Sequence, residues 1–520
     1  MPDRAEMLDR LRSGRTWDLV VIGGGATGLG SALDAANRGY ETLLLEARDF
    51  SQGTSSRSTK LVHGGVRYLA QGRIGLVREA LRERGRLLRN APHLVHPLAF
   101  LIPAYDRWSI PYYGLGLRAY DWLSGRLGLG ATRTVKPSEA LRLVPTLRTE
   151  GLRGGVLYQD AQFDDSRLVI ALLRTFLELG GTALNHLPVE GFSRRNGRIS
   201  GVQARDAETG ETFEVESRAV VNATGVFADD LRRLDEPGAV RRIRPSQGVH
   251  LVLDGSFLPG EAAVMIPKTD DGRVLFAIPW RGRTLIGTTD TPVEEVTVEP
   301  RPLAEELEFL IGHAGRYLSR APAPGDVLSL FTGLRPLVGS GEGGSTSGLS
   351  RDHALMVSDS GLVTITGGKW TTYRLMGADA VDRAAEVAGL PRRACQTEEL
   401  RLHGWREGDD PGPFSIYGSD AKGMEELLAE HPEWDRPLHP RLPHREVEVV
   451  WAARQELART VEDVLSRRLR SLLLDAGASL EAAPRVAELL AEELGFDTAW
   501  RQQQETRFSE LVKAYQWPAG

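Results

Sequence analysis

Short apolar runs that end in glycine or an acidic residue predict buried parallel strands near the start of the chain. The first run covers residues 17–22 and is followed by glycines, a helix of small residues and a second run at 42–45 that closes on Glu46. Runs of about four to eight apolar residues bounded by such breaks are typical of strands covered on both faces. The pattern therefore predicts a β-turn-α-β unit within about thirty residues.

The rest of the chain alternates between helical and strand patterns. Residues 165–179 and 371–387 have helical periodicity, while 219–225 and 362–368 repeat the pattern of a strand that runs into glycine. Between 240 and 340, short strand-like segments separated by turns predict an antiparallel sheet. The other predicted elements are strands at 183–190, 198–205, 212–216, 249–253, 263–266, 273–279 and 284–288, a hairpin turn at Asn196-Gly197, and helices within 76–90 and 445–474.

Length and composition limit the classes of protein that fit. A chain of 520 residues exceeds one ordinary core, so we expect two or three domains. A net charge of -6 argues against a nucleic-acid binder. The single cysteine, Cys395, excludes an intrachain disulfide, an iron–sulfur cluster and a cysteine-rich zinc site, and we expect no metal. Because no apolar run approaches the roughly 18 residues of a membrane span, we expect a cytoplasmic protein or one attached to the inner face of a membrane.

The glycines after the first predicted strand have the spacing of a dinucleotide-binding turn. In the run from Gly23 to Gly28, the first glycine makes the turn, Gly25 lets a pyrophosphate approach the backbone, and the last lets helix and strand pack closely. Glu46, at the end of the next strand, can accept hydrogen bonds from a ribose 2′-hydroxyl, which favours FAD or NAD over NADP. The cofactor-binding candidates of this unit are Gly23, Gly25, Ala26, Thr27, Gly28 and Glu46.

Two distant segments favour FAD over NAD. The strand-like runs at 219–225 and 362–368 also end in glycine, at Thr224-Gly225 and at Gly367-Gly368. In an NAD enzyme the fingerprint domain is usually continuous, whereas a longer cofactor contacted by three distant parts of the chain suits FAD. Either segment alone could simply end a strand. Their combination with the first glycines predicts an FAD-binding protein, with Thr224, Gly225 and Gly368 as further contacts.

Several motifs, in order along the chain, resemble one enzyme family. The segment at 54–69 reads TSSRSTKLVHGGVRYL, and further matches lie at 158–167 (YQDAQFDDSR), 248–250 (GVH), 286–290 (IGTTD), 333–337 (GLRPL), 351–353 (RDH), 367–374 (GGKWTTYR) and 459–463 (RTVED). Together they resemble the FAD-dependent, quinone-linked glycerol-3-phosphate dehydrogenases over nearly the whole chain. The resemblance implies further cofactor contacts from Ser56, Ser58, Thr59, Lys60, His63, Gly64, Gly65, Lys369, Trp370 and Thr371.

The same resemblance implies the reaction. The family oxidises sn-glycerol 3-phosphate to dihydroxyacetone phosphate, with hydride transfer from C2 to flavin N5 and electrons passed to a membrane quinone. It further implies peripheral attachment to the inner face of the cytoplasmic membrane, and we expect a homodimer. Two departures from the family pattern are Val226-Phe227, where Pro-Trp is common, and Gln247, where lysine is common.

The substrate is a small dianion with a secondary alcohol, so its site needs fixed positive charge and a proton acceptor. Arg67, Tyr68, Arg335 and Lys369 stand in the family-like motifs and are the substrate-binding candidates. Arginine suits a phosphate because its planar fork donates two parallel hydrogen bonds. His250 is the candidate base, since histidine titrates near physiological pH. Arg335 could instead stabilise the developing alkoxide, so both residues are catalytic candidates.

These features predict an α/β fold, α+β overall, with a Rossmann-like FAD-binding domain of the glutathione-reductase or D-amino-acid-oxidase type. An antiparallel-sheet substrate domain and a C-terminal helical domain complete the prediction. The predicted boundaries are 15–85, 160–235 and 345–390 for the discontinuous FAD-binding domain, 86–159 and 236–344 for the substrate domain, and 391–520 for the helical domain.

Two segments bear on contact with a membrane, and each allows two interpretations. An aromatic stretch suits either an interfacial segment or domain core, and comprises Trp108, Ile110, Tyr112, Tyr113, Tyr120, Trp122 and Leu123. An arginine-rich C-terminal segment is either a solvated face or a contact for anionic lipid, and contains Arg454, Arg459, Arg467, Arg468 and Arg470. The alternatives to a quinone-linked dehydrogenase are a glycerol-3-phosphate oxidase, an amine or amino-acid oxidase of the same fold class, and a flavin-binding protein without turnover.

Overall fold

The computed structural model describes residues 3–70, 72–267, 269–270, 272–339, 353–408 and 412–518, without the side chains of Arg67, Ala70 and Arg126. Its strands are β1 Trp17–Ile22, β2 Thr42–Leu45, β3 Leu61–Val62, β4 Val95–Pro103, β5 Arg133–Val135, β6 Gly155–Phe163, β7 Thr182–Leu184, β8 Val189–Arg195, β9 Arg198–Arg205, β10 Thr212–Asn222, β11 Ile243–Asp254, β12 Ala262–Ile266, β13 Leu275–Trp280, β14 Arg283–Gly287, β15 Thr291–Pro292, β16 Val327–Val338, β17 His353–Val357 and β18 Val363–Gly367. Its helices are α1 Arg4–Arg12, α2 Ala26–Asn37, α3 Val66–Ala70, α4 Ile74–Asn90, α5 Ser109–Ser124, α6 Pro137–Leu143, α7 Asp165–Glu178, α8 Ala228–Asp235, α9 Ala304–Tyr317, α10 Tyr373–Ala388, α11 Ala421–Glu430, α12 Glu446–Gln455, α13 Ser471–Leu474, α14 Ala476–Leu494 and α15 Thr498–Val512.

The first sheet is largely parallel and has the order β17-β18-β10-β1-β2-β7. Strand β1 lies between β10 and β2, with Leu19 opposite Ala219 on one side and Thr42 on the other. Its apolar residues are buried because helices such as α2, α7 and α10 pack on the sheet. The predicted β-turn-α-β unit is confirmed, and the carboxyl ends of β1, β2, β10 and β18 meet at one edge.

The hairpin predicted at Asn196-Gly197 is also confirmed. It joins β8 to β9, and both turn residues have positive φ, as a tight two-residue turn requires. The single strand predicted at 183–190 is wrong, because the chain forms β7 and β8 instead. His186 lies between them with φ of 54°, and this left-handed residue ends the first strand.

The second sheet is mainly antiparallel and has the order β15-β11-β14-β13-β12-β4-β6-β3, with β16 also paired to β11. The strands predicted between 240 and 340 are confirmed within it. Strands β4 and β6 form a nine-pair ladder that the sequence did not indicate, since proline and polar residues interrupt its apolar pattern. The division into three domains remains a prediction, and β6 crosses its boundary at residue 160.

The C-terminal helices pack against one face of the second sheet. Phe100, Ile278 and Phe331 of the sheet share a core with Leu465 and Leu490 of the helical region. The segment predicted to be helical at 445–474 is broken into α12, a π-helical turn at Asp463–Arg468 and α13. Within the described part of the chain, none of the helices is long and apolar enough to cross a membrane.

The two interpretations of the arginine-rich C-terminal segment are wrong for three of its members. Arg467, Arg468 and Arg470 are buried, not exposed to solvent or lipid. Arg468 donates a hydrogen bond of 2.9 Å to Asp49, and Arg470 donates one of the same length to Asp165. These arginines therefore act as internal counter-charges between the helical region and the rest of the protein.

Candidate active site

A glycine-lined cavity of about 340 Å3 opens at the carboxyl edge of the first sheet. It lies at the N-terminus of α2, where Gly25 is the N-cap residue and offers no side chain to cap the helix. The Ala26 N–H donates a hydrogen bond of 2.9 Å to Ser55 Oγ. A helix N-terminus with backbone N–H groups at a cavity wall is a site for an anion such as a pyrophosphate.

The first and last glycines of the motif are required by close backbone packing. A Cβ atom on Gly28 would lie 1.8 Å from the carbonyl oxygen of Gly23. Gly23 itself has φ of 111°, and a Cβ there would lie 2.7 Å from the carbonyl oxygen of Ala223. Gly23 lines the glycine-lined cavity, whereas Gly28 holds α2 against the end of β1 behind it. Strand, helix and the neighbouring β10 can therefore approach only without side chains at these positions.

Glu46 also lines the glycine-lined cavity. Its carboxylate accepts hydrogen bonds from the backbone N–H groups of Gly24, at 2.6 Å, and Arg48, at 2.9 Å. Burial raises the pKa of Glu46, and these two hydrogen bonds act in the opposite direction. The carboxylate is therefore fixed beside the glycine turn, where a ribose hydroxyl can reach it.

Residues from the two distant segments complete the same cavity. Thr224, Gly225, Gly368, Lys369 and Trp370 all line it, as do Ala26 and Thr27. The indole N–H of Trp370 donates a hydrogen bond of 2.9 Å to the Ser55 carbonyl, which ties the third segment to the first. The geometry therefore brings together three parts of the chain, as a cofactor longer than a mononucleotide needs.

An arginine-lined cavity of about 180 Å3 adjoins the first. Thr59, His63, Gly65, Tyr68 and Arg335 line it, together with residues of the second sheet. The Lys369 ammonium lies 3.9 Å from the centre of the Tyr68 ring, so a residue of one cavity contacts a residue of the other. A group bound in the second cavity can therefore lie beside a cofactor that extends from the first.

Arg335 is held in the wall of the arginine-lined cavity by several acceptors. Its guanidinium donates to the Thr289 carbonyl at 3.0 Å, to Thr288 Oγ1 at 3.2 Å, to Asp290 at 3.2 Å and to the Gln247 carbonyl at 3.3 Å. It is part-buried, with 23% of its side chain exposed. The head group is thus fixed in direction while part of it still faces the cavity.

His250 lies behind Thr59, which lines the arginine-lined cavity. Its Nε2 lies 2.9 Å from Thr59 Oγ1, and its ring stacks on Phe331 at 4.7 Å between centres. His250 is not among the described residues that line either cavity, whereas Thr59 lines the arginine-lined cavity. Burial lowers the pKa of His250 well below its usual range, and the charges of Lys60 and Arg335 lower it further. The imidazole is therefore neutral near pH 7.

Three residues predicted to contact the cofactor also take part in a buried ion cluster, Ser58 and Lys60 through their side chains and Ser56 through its backbone carbonyl. The Lys60 ammonium donates to Asp165 at 2.7 Å and to the Ser56 carbonyl at 2.8 Å, and Ser58 Oγ donates to Asp165 at 2.7 Å. Burial lowers the pKa of Lys60 to about 8, and Asp165 acts against that shift. The side chains of Ser58 and Lys60 therefore stabilise a buried ion cluster, and Ser56 supplies it a carbonyl.

Gly64 and Thr371 line neither cavity, and both form hydrogen bonds near the wall of the arginine-lined cavity. The Gly64 N–H donates a hydrogen bond of 2.7 Å to the Tyr120 hydroxyl. Thr371 Oγ1 donates one of 3.3 Å to the His63 carbonyl. The side chain of Arg67 lies outside the described part of the chain, although its backbone belongs to α3. Its assignment to substrate remains a prediction.

Sequence reasoning missed several residues of both cavities. Ser55 and Gln52 line the first, and Arg273 and Asp290 line the second. Ser55 lies in the serine-rich segment that carries the family resemblance, so its motif was a usable signal. Arg273 had none, because one arginine near a turn cannot be distinguished from a surface charge in a chain with 64 basic residues.

Comparison with known proteins agrees with this arrangement. Residues 18–374 match the model of the FAD dependent oxidoreductase family, and residues 372–501 match the C-terminal domain of alpha-glycerophosphate oxidase. The chain is 40% identical to the probable mitochondrial glycerol-3-phosphate dehydrogenase of Caenorhabditis elegans, over 96% of this chain and 73% of that protein. It is 38% identical to the mitochondrial glycerol-3-phosphate dehydrogenase of Homo sapiens, over 97% of this chain and 74% of that protein.

A solved structure gives the same result. The glycerol-3-phosphate dehydrogenase from Bacillus halodurans, complexed with FAD, superimposes with a TM-score of 0.80 at 30% identity and covers 98% of this chain and 97% of its own. Because it covers 98% of this chain, the superposition includes both sheets and the C-terminal helices. The chain belongs to the FAD-dependent glycerol-3-phosphate dehydrogenase family.

Proposed function

We propose that this protein oxidises sn-glycerol 3-phosphate to dihydroxyacetone phosphate and passes the electrons to a membrane quinone. One observation carries the proposal: a small arginine-lined cavity adjoins the glycine-lined cavity through the contact between Tyr68 and Lys369. Bound FAD supplies a two-electron acceptor at flavin N5 for the C2 hydride. Residues of the glycine-lined cavity would hold that cofactor. Binding of the substrate phosphate and removal of the hydroxyl proton depend on side chains of the arginine-lined cavity.

Positive charge in the second cavity suits a phosphate group. Arg335 and Arg273 both line it, and Lys369 reaches its edge over Tyr68. Among the described residues of the wall, the carboxylates are already paired, Asp160 with Arg84 at 2.9 Å and Asp290 with Arg335 at 3.2 Å. An incoming dianion therefore meets arginine donors rather than unpaired negative charge.

We assign the substrate proton to Thr59 and His250. As the C2–H bond breaks, the substrate hydroxyl passes its proton to Thr59 Oγ1, and the Thr59 hydroxyl proton moves to His250 Nε2. The 2.9 Å contact between the two side chains supports this path, and the lowered pKa of His250 keeps the acceptor unprotonated. Arg335 meanwhile stabilises negative charge that develops on the substrate oxygen. Hydride and proton thus leave from C2 and its oxygen to give the ketone.

An anaerobic mixing experiment tests the reaction. Purified flavoprotein is mixed with glycerol 3-phosphate, and the absorbance of oxidised flavin is followed at about 450 nm. We expect rapid bleaching, and unchanged absorbance would refute the proposed substrate. A soluble quinone or oxygen is then admitted. Fast recovery of colour with quinone supports the dehydrogenase, whereas fast recovery with oxygen alone would instead identify an oxidase.

The outer face of α5 is the proposed contact with the membrane. Trp108, Tyr112, Leu115 and Trp122 are each at least 66% exposed, and their spacing places them on one face at the start of and along the helix. Tyr120, by contrast, is buried, so the aromatic stretch divides between core and surface. Tryptophan and tyrosine favour the boundary between lipid headgroups and acyl chains. We propose that this face docks on the inner face of the cytoplasmic membrane, where the quinone is found.

Vesicle sedimentation tests the membrane contact. Wild-type protein should sediment with anionic phospholipid vesicles, and the triple variant Trp108→Ser, Leu115→Ser, Trp122→Ser should stay in solution. Val240→Ser removes an exposed apolar residue elsewhere on the surface and serves as the control. Equal sedimentation of the triple variant and the control would contradict the assignment. The expected homodimer remains a prediction, to be measured by light scattering.

A further inference from the structure

A buried carboxylate, Glu306, lies behind the arginine-lined cavity at the start of α9. Only 3% of the residue is exposed. It accepts hydrogen bonds from Thr291 Oγ1 at 2.6 Å, Gln247 Nε2 at 2.7 Å, Thr289 Oγ1 at 2.8 Å and the Leu303 N–H at 3.0 Å. One carboxylate therefore joins strand β11, the loop between β14 and β15, the start of β15 and the first turn of α9.

The same strand and loop carry acceptors of the Arg335 guanidinium. Arg335 donates to the backbone carbonyls of Gln247 and Thr289, whose side chains are bound by Glu306. It also donates to Asp290, which lies between the two threonines that Glu306 binds. Any movement of Glu306 would therefore shift several atoms that fix the direction of Arg335.

We infer that Glu306, with Gln247, is a positioning residue that sets the direction of Arg335 toward the phosphate group of the substrate. The inference rests on the proposed function, since it assumes that Arg335 contacts that anion. Gln247 stands at a position where the family pattern commonly has lysine. The Gln247 amide donates to Glu306 and to the Arg301 carbonyl, at 2.7 and 2.9 Å, so its task is to bind the carboxylate rather than the substrate.

Inorganic phosphate is the probe, because its binding does not depend on turnover. Phosphate affinity of the FAD-loaded enzyme is measured by the perturbation of flavin absorbance, together with FAD content and unfolding temperature. Glu306→Gln introduces an amide among donors and should weaken phosphate binding by about tenfold, as loss of a hydrogen bond to a charged group predicts. Glu305→Gln removes an exposed carboxylate from the same helical turn and should change the affinity by less than about twofold.

Two further comparisons separate positioning from general destabilisation. Gln247→Leu should weaken phosphate binding, and Gln247→Lys, which keeps a donor for Glu306, should restore most of it. In an Arg335→Ala background, Glu306→Gln should have no further effect, because its target is absent. Additive losses, or equal affinities of Glu306→Gln and Glu305→Gln, would overturn the inference. If Glu306→Gln fails to fold, the pair of Gln247 variants decides the question by the same criterion.

Failure of the inference is distinguishable from failure of the proposed function. Absence of flavin bleaching by glycerol 3-phosphate in the wild type refutes the reaction, whatever the phosphate data show. Bleaching with phosphate affinities that are independent of Glu306 and Gln247 refutes only the positioning role. A wild-type enzyme that is bleached by glycerol 3-phosphate but binds no phosphate also refutes only the positioning role, since Arg335 then has no anion to contact.

Discussion

Gly28→Ala tests whether close contact between α2 and β1 builds the cofactor site. The new Cβ would lie 1.8 Å from the Gly23 carbonyl oxygen and 2.9 Å from its carbon. Non-bonded heavy atoms prefer separations of about 3.5 Å, so helix and strand must move apart by more than about 1 Å. Overpacking of this kind costs about 3 kcal/mol, because backbone atoms cannot turn aside as a flexible side chain can. The movement displaces Gly25 and the N–H groups at the start of α2.

The assay is the ratio of bound FAD to protein after purification, with unfolding temperature measured with and without added FAD. If the cost falls on the FAD-bound state, about 3 kcal/mol corresponds to an affinity about a hundredfold lower. Gly75→Ala is the matched control, because Gly75 lies in α4 and a Cβ added to it would meet no atom within 4 Å. That change should stabilise the helix by about 0.5–1 kcal/mol. Wild-type FAD content in Gly28→Ala would refute the packing argument.

Three other changes probe the substrate cavity and the internal charges. Arg335→Ala should slow anaerobic flavin bleaching about a hundredfold or more while FAD stays bound. Arg283→Ala, outside the arginine-lined cavity, is the control and should leave the rate unchanged. Equal bleaching rates of the two variants would remove Arg335 from the mechanism. His250→Gln keeps a hydrogen-bonding group for Thr59 but cannot take up a proton, so bleaching should slow by about a hundredfold, and a wild-type rate would exclude the proposed proton path. The His186–Asp463 ion pair, at 3.0 Å, outweighs the effect of burial and raises the pKa of His186. Its stabilisation is therefore fully present below about pH 6.5 and is lost as pH rises through the folded-state pKa. His186→Gln should flatten that part of the dependence of unfolding temperature on pH, and an unchanged profile would contradict it.

The parts of the site that the sequence predicted are those that depend on local backbone geometry. Gly23 and Gly25 follow a strand and precede a helix, so their spacing alone indicates how the backbone turns. Glu46 could be found because it ends the next strand along the chain. The antiparallel sheet was predicted for the same reason, since its turns and alternating residues are local. These features need no knowledge of which distant segments meet.

The parts that the sequence missed depend on which buried charges meet after folding. Lys60 stands in a segment that resembles a cofactor-binding motif, yet its ammonium is buried against Asp165. His250 is the predicted base, and the sequence did not indicate that Thr59 lies between it and the cavity. A sequence gives the type of side chain and its neighbours in the chain, but the direction of a side chain depends on partners from other strands.

The arginine-rich segment near the C-terminus is connected to the glycine-lined cavity by buried ion pairs. Gln52 lines the glycine-lined cavity and donates a hydrogen bond of 2.9 Å to Glu462, which in turn accepts one of 2.7 Å from Arg467. Arg467 also binds Asp49, three residues before Gln52 in the chain. A buried arginine costs free energy unless it is paired, so this segment and the loop after β2 must fold against each other. Arginines that could have faced solvent or lipid therefore support one wall of the glycine-lined cavity from behind, through Glu462 and Gln52.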